Sequence, residues 1–397
     1  MKLEAPTSKS MTQRALLIAA LAEGPTRIER PLDCDDSRYL VGLLEALGCA
    51  VEAERDALTV MPAPLVAGGK PVFCGNAGTA VRFGACLSLV CDGELVIDGD
   101  AHMRKRPIGP LADSLRELGI TVKYLGAPGC PPIALARHAE APASVAVDTS
   151  VSSQYASGLL LVAPRLAHGL VVELTGAMVS APYLDMTIAM MRAAGAGVAR
   201  PAPDVIEVSP QGYPARSAPR RIAIEPDWSA AAFVLAAGRL AGVPVEIPGL
   251  PSVSLQGDAV FAKLLESLDA GTRELDLRDA PDLIAPLAVL CLFAKQPTRI
   301  VGVAHARVKE SDRIAVLARG FRQVGADVSE LPDGLDIQPL SNPTREPVSL
   351  DPEDDHRMAM AFGLLSLRVA GITVRNPDCV SKSFPTFWEM LRELRPY

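Results

Sequence analysis

The stretch Ser8-Lys9-Ser10-Met11-Thr12-Gln13-Arg14 sets an ammonium, hydroxyls and a guanidinium around what reads as one helix start. That combination suits a phosphate or a carboxylate. It is not a P-loop, because the Gly-x4-Gly that should precede the Lys-Ser pair is missing. Gly75-Asn76-Ala77-Gly78-Thr79-Ala80-Val81-Arg82 adds two glycines for close backbone approach, an amide, a hydroxyl that reads as an N-cap and a second Arg. His102-Met103-Arg104-Lys105-Arg106-Pro107 is a cationic loop whose proline opens the next helix. Ser152, Ser153 and Gln154, with Ser180 and Tyr183 further on, offer hydroxyls and an amide to a phosphate or a sugar-like ring. The second half sets acids among cations: Asp282 before an apolar helix, Arg307-Val308-Lys309-Glu310-Ser311-Asp312-Arg313, Asp355-His356-Arg357, and Lys382. Asp282 also reads as a simple N-cap. A cation at a helix start opposes the helix dipole by ~0.3–1 kcal/mol, which a bound anion would offset. Acids and bases for proton transfer stand beside those cations. The residues therefore suit a multiply anionic small molecule.

One pattern, met six times, carries these residues: a small-residue helix, a short strand, a polar loop and a second helix. The first helices are expected near Ser10, Thr79, Ser152, Asp227, Asp282 and Asp355. The strands that follow are Thr26-Arg27-Ile28-Glu29, Leu95-Val96-Ile97-Asp98, Val171-Val172-Glu173-Leu174, Val243-Pro244-Val245-Glu246, Thr298-Arg299-Ile300-Val301 and Ile372-Thr373-Val374-Arg375. Glycine or a small residue closes the second helices, as in Leu47-Gly48-Cys49 and Val324-Gly325-Ala326. The unit predicted is β-α-β-α-β-β, too long for a solenoid repeat, so closed domains are expected. Three units per domain give an α/β protein of two similar domains. Residues 201–221, rich in Pro, Ser and Arg, put the hinge near Ile224, so the domains are 7–224 and 225–397.

Composition agrees with two globular domains. The chain has 397 residues, 49% hydrophobic and 21% charged, with a net charge of −7. That balance argues against a general nucleic-acid binder, which needs a broad basic surface. The longest uncharged apolar run, residues 283–294, contains Pro286 and is too short for a membrane span. It reads as a buried helix. The start Met1-Lys2-Leu3-Glu4-Ala5-Pro6 lacks the apolar segment of a signal peptide, and a cytoplasmic address is expected. Eight cysteines without a C-x-x-C pair read as reduced structural thiols, and five scattered histidines lack metal-site spacing.

Taken in order, Ser8-Lys9-Ser10 with Arg14, Gly75-Asn76-Ala77-Gly78-Thr79 with Arg82, Arg106-Pro107-Ile108, Ser152-Ser153-Gln154, Pro281-Asp282, Arg307-Val308-Lys309-Glu310-Ser311-Asp312-Arg313, Asp355-His356-Arg357-Met358-Ala359-Met360 and Lys382-Ser383-Phe384-Pro385 resemble the 5-enolpyruvylshikimate-3-phosphate synthase family over nearly the whole chain. The resemblance implies transfer of the enolpyruvyl group of phosphoenolpyruvate to the 5-hydroxyl of shikimate 3-phosphate, through a tetrahedral ketal and with release of phosphate. It implies two domains of the inside-out α/β barrel type, an active site in the interdomain cleft, and residues 1–6 crossing into the C-terminal domain. Shikimate 3-phosphate would meet Lys9, Ser10, Arg14, Ser152, Ser153, Gln154, Ser180, Asp282 and Lys309. Phosphoenolpyruvate would meet Lys9, Gly78, Arg106, Gln154, Arg313, Arg357 and Lys382. Asp282 would act as base toward the hydroxyl and Glu310 as acid and later base at the methylene carbon, with Lys9 and Lys382 beside the transferring groups. No metal or organic cofactor, no nucleic acid and no membrane partner is expected, and a monomer is.

Three positions depart from the family pattern: Thr7 where Gly is usual, Phe83 where Pro is frequent, and His305 where Asn or Glu often stands. The UDP-N-acetylglucosamine enolpyruvyl transferase has the same architecture but a cysteine in the cationic loop, which here contains none. An RNA 3′-phosphate cyclase fits the acidic net charge and the two matched halves poorly. A non-catalytic anion-binding protein would have no need of Asp282 or Glu310.

Overall fold

The computed structural model describes residues 1–394. Two compact units partition the chain: Thr7–Ile224, and Met1–Pro6 together with the chain from Glu225 onward. In Thr7–Ile224 the first copy of the repeat holds α1 (Lys9–Leu21), β1 (Thr26–Glu29), α2 (Asp35–Ala46), β2 (Ala50–Ala53) and β3 (Ala57–Met61). The second holds β4 (Val66–Phe73), α3 (Gly78–Leu87), β5 (Asp92–Asp98), α4 (Gly109–Glu117), β6 (Ile120–Tyr124) and β7 (Ile133–Arg137). The third holds β8 (Ser144–Asp148), α5 (Gln154–Val162), β9 (Leu170–Thr175), α6 (Ala181–Ala193), β10 (Val198–Ala202) and β11 (Val205–Val208).

Each copy makes a four-stranded sheet of one design, in the orders β4-β5-β7-β6 and β8-β9-β11-β10, with the leading pair parallel and the others antiparallel. The first copy has no strand before α1 in this unit. Its leading position is filled by β12 (Arg220–Ala223), which returns to pair with β1 in register Thr26↔Arg220. Among the described residues no sheet closes on itself.

The first helices are buried almost all round because they pack on one another. In α1 every residue from Met11 to Leu21 is buried, and α3 and α5 are covered almost as completely. Small residues allow the approach: a Cβ on Gly158 would lie 2.7 Å from Cys86 Sγ, so α5 and α3 meet where glycine stands. The second helices bury one stripe only, as Leu111, Ala112, Ser114 and Leu115 do in α4. Their ends need a left-handed residue, supplied by Gly48 (φ 106) after α2.

The other unit contains α7 (Trp228–Ala241), α8 (Phe261–Asp269), β13 (Glu274–Asp276), α9 (Ile284–Leu292), β14 (Thr298–Val301), α10 (Arg313–Gln323), β15 (Val328–Leu331), β16 (Gly334–Ile337), β17 (Val348–Leu350), α11 (His356–Leu365), β18 (Ile372–Val374) and α12 (Phe387–Glu393). Helices α7, α9 and α11 form its buried centre, and α9 is the apolar run read from sequence, with all nine residues covered. One sheet, β13-β14-β16-β15, repeats the design, and β17-β18 is a parallel pair. The expected strand Val243-Pro244-Val245-Glu246 does not form; among the described residues it is reduced to a bridge between Glu246 and Lys2. Proline removes a ladder donor at 244, and Pro248 and Pro251 stop any extension. Nor does a hairpin follow α8 among the described residues, so the copies are not equally complete. The N-terminus lies against this stretch, with Leu3 N donating to Glu246 O at 3.1 Å, Glu246 N to Met1 O at 2.9 Å, and Leu3 4% exposed in the core.

Candidate active site

In Thr7–Ile224 the predicted binding residues lie at the starts of α1, α3, α5 and α6, with Arg106 in the loop before α4. Ser8 caps α1 by accepting from Met11 N at 3.4 Å, which leaves Lys9 at the first helical position. Lys9 Nζ lies 3.0 Å from Asp36 Oδ2, and both side chains are largely buried. Arg14, 2% exposed, gives Nε to Thr187 Oγ1 (2.7 Å), one terminal nitrogen to Ser10 O (3.0 Å) and the other to Tyr183 O (3.0 Å). Its guanidinium also lies 5.5 Å from the Phe83 ring centroid, so the Phe at a frequent Pro position serves as a platform. Burial lowers the Arg14 pKa to about 10, still cationic at neutral pH. Arg14 thus joins the start of α1 to the start of α6.

Arg82 NH1 donates to Gln154 Oε1 at 2.7 Å, and Gln154 Nε2 donates to Thr79 Oγ1 at 3.1 Å. Thr79 is therefore not the N-cap that the sequence suggested. The cap position of α3 is Ala77, without a side-chain bond, and the Thr79 hydroxyl orients Gln154 instead. Arg106 reaches back to Asn76 Oδ1 (3.1 Å) and Asn76 O (3.2 Å). Its guanidinium covers Gly78, where a Cβ would stand 2.8 Å from NH2. Ser152 Oγ accepts from Gln154 N at 3.2 Å, while Ser153 and Ser180 make no side-chain cap bond. Ser180 is buried and left-handed, φ 57 and ψ 41, a strained conformation for a residue with a Cβ. Such strain is commonest where function needs a side chain held in one place.

The second cluster, in the unit from Glu225 onward, alternates acids with cations. Arg313 is central and 1% exposed: NH1 meets Asp282 Oδ1 (2.7 Å), NH2 meets Glu310 Oε2 (2.9 Å), and Nε meets Asp355 Oδ2 (2.8 Å). Lys382 Nζ donates to the other Glu310 oxygen at 2.8 Å, and Arg357 NH2 lies 2.9 Å from Asp282 Oδ2. Asp282 is not an N-cap. It stands in the 3-10 turn Pro281–Leu283, and the cap of α9 is Leu283. Burial would raise its pKa, but Arg357, Arg313 and Lys309 outweigh that and hold the carboxyl well below the ordinary range.

Asp355 stands in the sequence as one acid among cations at the opening of a helix, with no individual role assigned to it. It is fully buried, caps α11 by accepting from Arg357 N at 2.9 Å, and accepts from Ser311 Oγ at 3.2 Å while pairing with Arg313. Asp36, Thr187 and Asp258 were missed altogether. Their partners lie far off in sequence; the signal available for Asp36 and Asp258 was an acid beside a helix start, and Thr187, in the middle of α6, gave none. His305, in the 3-10 stretch Ala304–Val308, is 7% exposed, and its Nε2 has no hydrogen-bond partner among the described residues. Burial and Lys309 lower its pKa to about 4, so the ring is neutral at pH 7. Among the described residues no group of three His, Cys, Asp or Glu side chains could hold a metal ion, and the eight cysteines are unpaired. No helix among those residues is long and apolar enough to cross a membrane.

Cations at convergent helix starts, and buried carboxylates interleaved with further cations, define a repeat-built α/β enzyme of anionic small molecules. Residues 1–391 match the family model described as EPSP synthase (3-phosphoshikimate 1-carboxyvinyltransferase). A 3-phosphoshikimate 1-carboxyvinyltransferase of Rhizobium leguminosarum bv. trifolii is 39% identical over 98% of this chain and 93% of its own length. One from Thiobacillus denitrificans is 38% identical over 98% of this chain and 95% of its own. The structure of EPSP synthase from Acinetobacter baumannii superposes with a TM-score of 0.77 at 24% identity, covering 100% of this chain and 95% of that one. The enolpyruvyl transferase NikO of Streptomyces tendae does so with 0.76 at 17%, covering 99% and 94%. At such identities these two likenesses speak for the fold alone. The chain belongs to the EPSP synthase (3-phosphoshikimate 1-carboxyvinyltransferase) family.

Proposed function

We propose that this chain transfers the enolpyruvyl group of phosphoenolpyruvate to the 5-hydroxyl of shikimate 3-phosphate and releases phosphate, a step of the shikimate pathway toward chorismate and the aromatic amino acids. Membership of the family along nearly the whole chain carries this reading. Both substrates bear a phosphate and a carboxylate, which suits the two cation clusters. Lys9, Ser10, Arg14, Ser152, Ser153, Gln154, Ser180, Asp282 and Lys309 would hold shikimate 3-phosphate. Lys9, Gly78, Arg106, Gln154, Arg313, Arg357 and Lys382 would hold phosphoenolpyruvate.

Addition requires the 5-hydroxyl to lose a proton and the methylene carbon to gain one. The new C–O bond gives a ketal with a methyl group; phosphate then leaves while the methyl returns its proton and the double bond re-forms. Asp282 takes the hydroxyl proton, and Glu310 delivers and later removes the proton at carbon. Both carboxylates are held by cations: Asp282 by Arg313 and Arg357, Glu310 by Arg313 and Lys382. An arriving substrate anion competes for those same cations. Each carboxylate then loses part of its partner and holds a proton more readily, which makes Asp282 a better base toward the hydroxyl and lets Glu310 take up from solvent the proton it delivers to carbon. Arg357 and Lys382 would neutralise charge on the departing phosphate.

The UDP-N-acetylglucosamine reading is less supported: the family match is to the shikimate enzyme, and the loop from His102 to Arg106 has no cysteine. Small-molecule substrates, a cytoplasmic address and a monomeric state complete the proposal. Phosphate release from phosphoenolpyruvate, with shikimate 3-phosphate or UDP-N-acetylglucosamine as acceptor, tests it.

A further inference from the structure

The unit from Glu225 onward holds a buried acid that the reaction scheme leaves idle. Asp258 lies in the 3-10 turn Gly257–Val260 and is 1% exposed. Its Oδ2 accepts from the Ser229 hydroxyl, and its Oδ1 is buried with no hydrogen-bond partner among the described residues. The turn is already docked on the start of α7 without it. Trp228 N donates to Gln256 Oε1 at 3.0 Å, and Gln256 Nε2 donates to Pro226 O at 2.8 Å. A carboxylate with one bare oxygen is a costly way to make a turn, whereas a carboxyl that carries a proton is far less so.

What surrounds it favours the proton. Asp282 and Asp227 face it with negative charge, Arg357 with positive, and the following helix α8 turns Lys263 and Glu266 to solvent. Burial and Asp282 push the Asp258 carboxyl up to about 7, against the pull of Arg357 and Ser229. Arg357 is also the cation 2.9 Å from Asp282. We propose that Asp258 is a positioning residue that carries a proton in the resting protein, and that its loss withdraws part of Arg357's charge from Asp282 and from an incoming carboxylate or phosphate. Below neutral pH Asp258 is neutral and Arg357 is fully available; above it the buried anion competes for the guanidinium and repels the ligand. Anion affinity at Arg357 therefore falls as pH rises through the Asp258 titration.

Infrared difference spectra between the wild type and Asp258→Asn, from pH 5 to 9, read the proton directly and need no substrate. A protonated-carboxyl band that is absent from the variant and disappears with a midpoint near 7 is the expected result. Ser229→Ala, which removes the donor to the ionised form, should move that midpoint up by about one pH unit or more. The kinetic arm rests on the enolpyruvyl-transfer reading: the KM for phosphoenolpyruvate should climb several-fold between pH 6 and 8.5 in the wild type, and this added climb should be missing from Asp258→Asn. If Asp258→Asn does not fold, the Ser229→Ala shift of both the band and the KM profile decides. No titrating band above pH 5, or a band that Ser229→Ala leaves in place, overturns the proposal. Absence of turnover with a normal band would overturn the functional reading instead.

Discussion

Gly78 is a residue at which geometry separates two roles. Its φ lies outside the left-handed region, so alanine fits the backbone at the first position of α3, yet a Cβ would stand 2.8 Å from the Arg106 guanidinium. Gly78→Ala should therefore leave thermal stability close to the parent and raise the KM for phosphoenolpyruvate by roughly tenfold, the loss of about one weak polar contact. A destabilised variant with normal KM would make Gly78 a backbone requirement. Glu310→Gln should fold and bind shikimate 3-phosphate but turn over ~10²–10⁴-fold more slowly, the scale of acid–base contributions. Single-turnover rates measure it, and a near-normal rate removes Glu310 from proton transfer. His305 gives a pH signature. Its folded pKa, about 4, is below its unfolded value near 6.5, so the unfolded chain binds the extra proton between those values. Stability should fall as pH drops from 6.5 to 4, by up to roughly 3 kcal/mol, and His305→Gln should remove that part of the acid dependence in urea titrations.

Elements were legible wherever their signals are local. The helices beginning at Lys9, Trp228 and His356 follow caps at Ser8, Asp227 and Asp355 that can be read from a few residues, and α9 is apolar on every side. The strand expected at Val243 failed although Pro244 and Pro248 are themselves local: the β-branched pattern outweighed them in the reading, while the lack of ladder partners is decided only by folding. The site's wiring was hidden for the same reason. Arg313 and Asp355 are 42 residues apart, Lys382 and Glu310 are 72, and no periodicity links them. Asp355 shows the two scales meeting, since one carboxylate caps α11 and anchors Arg313. Asparagine caps a helix about as well, so Asp355→Asn isolates the ion pair. Losing one partner of a buried pair should cost about 3–5 kcal/mol in chemical denaturation, well beyond a cap. A loss below about 1 kcal/mol would mean that Arg313 is held by Asp282 and Glu310 alone.

At the scale of the molecule, the chain begins in the core of one unit, crosses to build the other, and returns through β12. Leu3, 4% exposed, packs in the core of the unit from Glu225 onward. Both tryptophans, Trp228 and Trp388, belong to that unit, so their fluorescence reports its unfolding. Leu3→Ala should destabilise the tryptophan-detected transition by about 2–4 kcal/mol, and an unchanged midpoint would make the N-terminal segment dispensable to that core. The family was legible from ordered motifs spread along the whole chain, because each motif keeps helix-start chemistry in sequence order. The carboxylate partners that tune those motifs were not, since folding alone brings them near. Whether the chain transfers enolpyruvyl to shikimate 3-phosphate is decided by measuring phosphate release with each acceptor. Phosphate should be released from phosphoenolpyruvate in proportion to shikimate 3-phosphate consumed, and none above background with UDP-N-acetylglucosamine. Release with the nucleotide sugar, or with neither acceptor from folded protein, would contradict it.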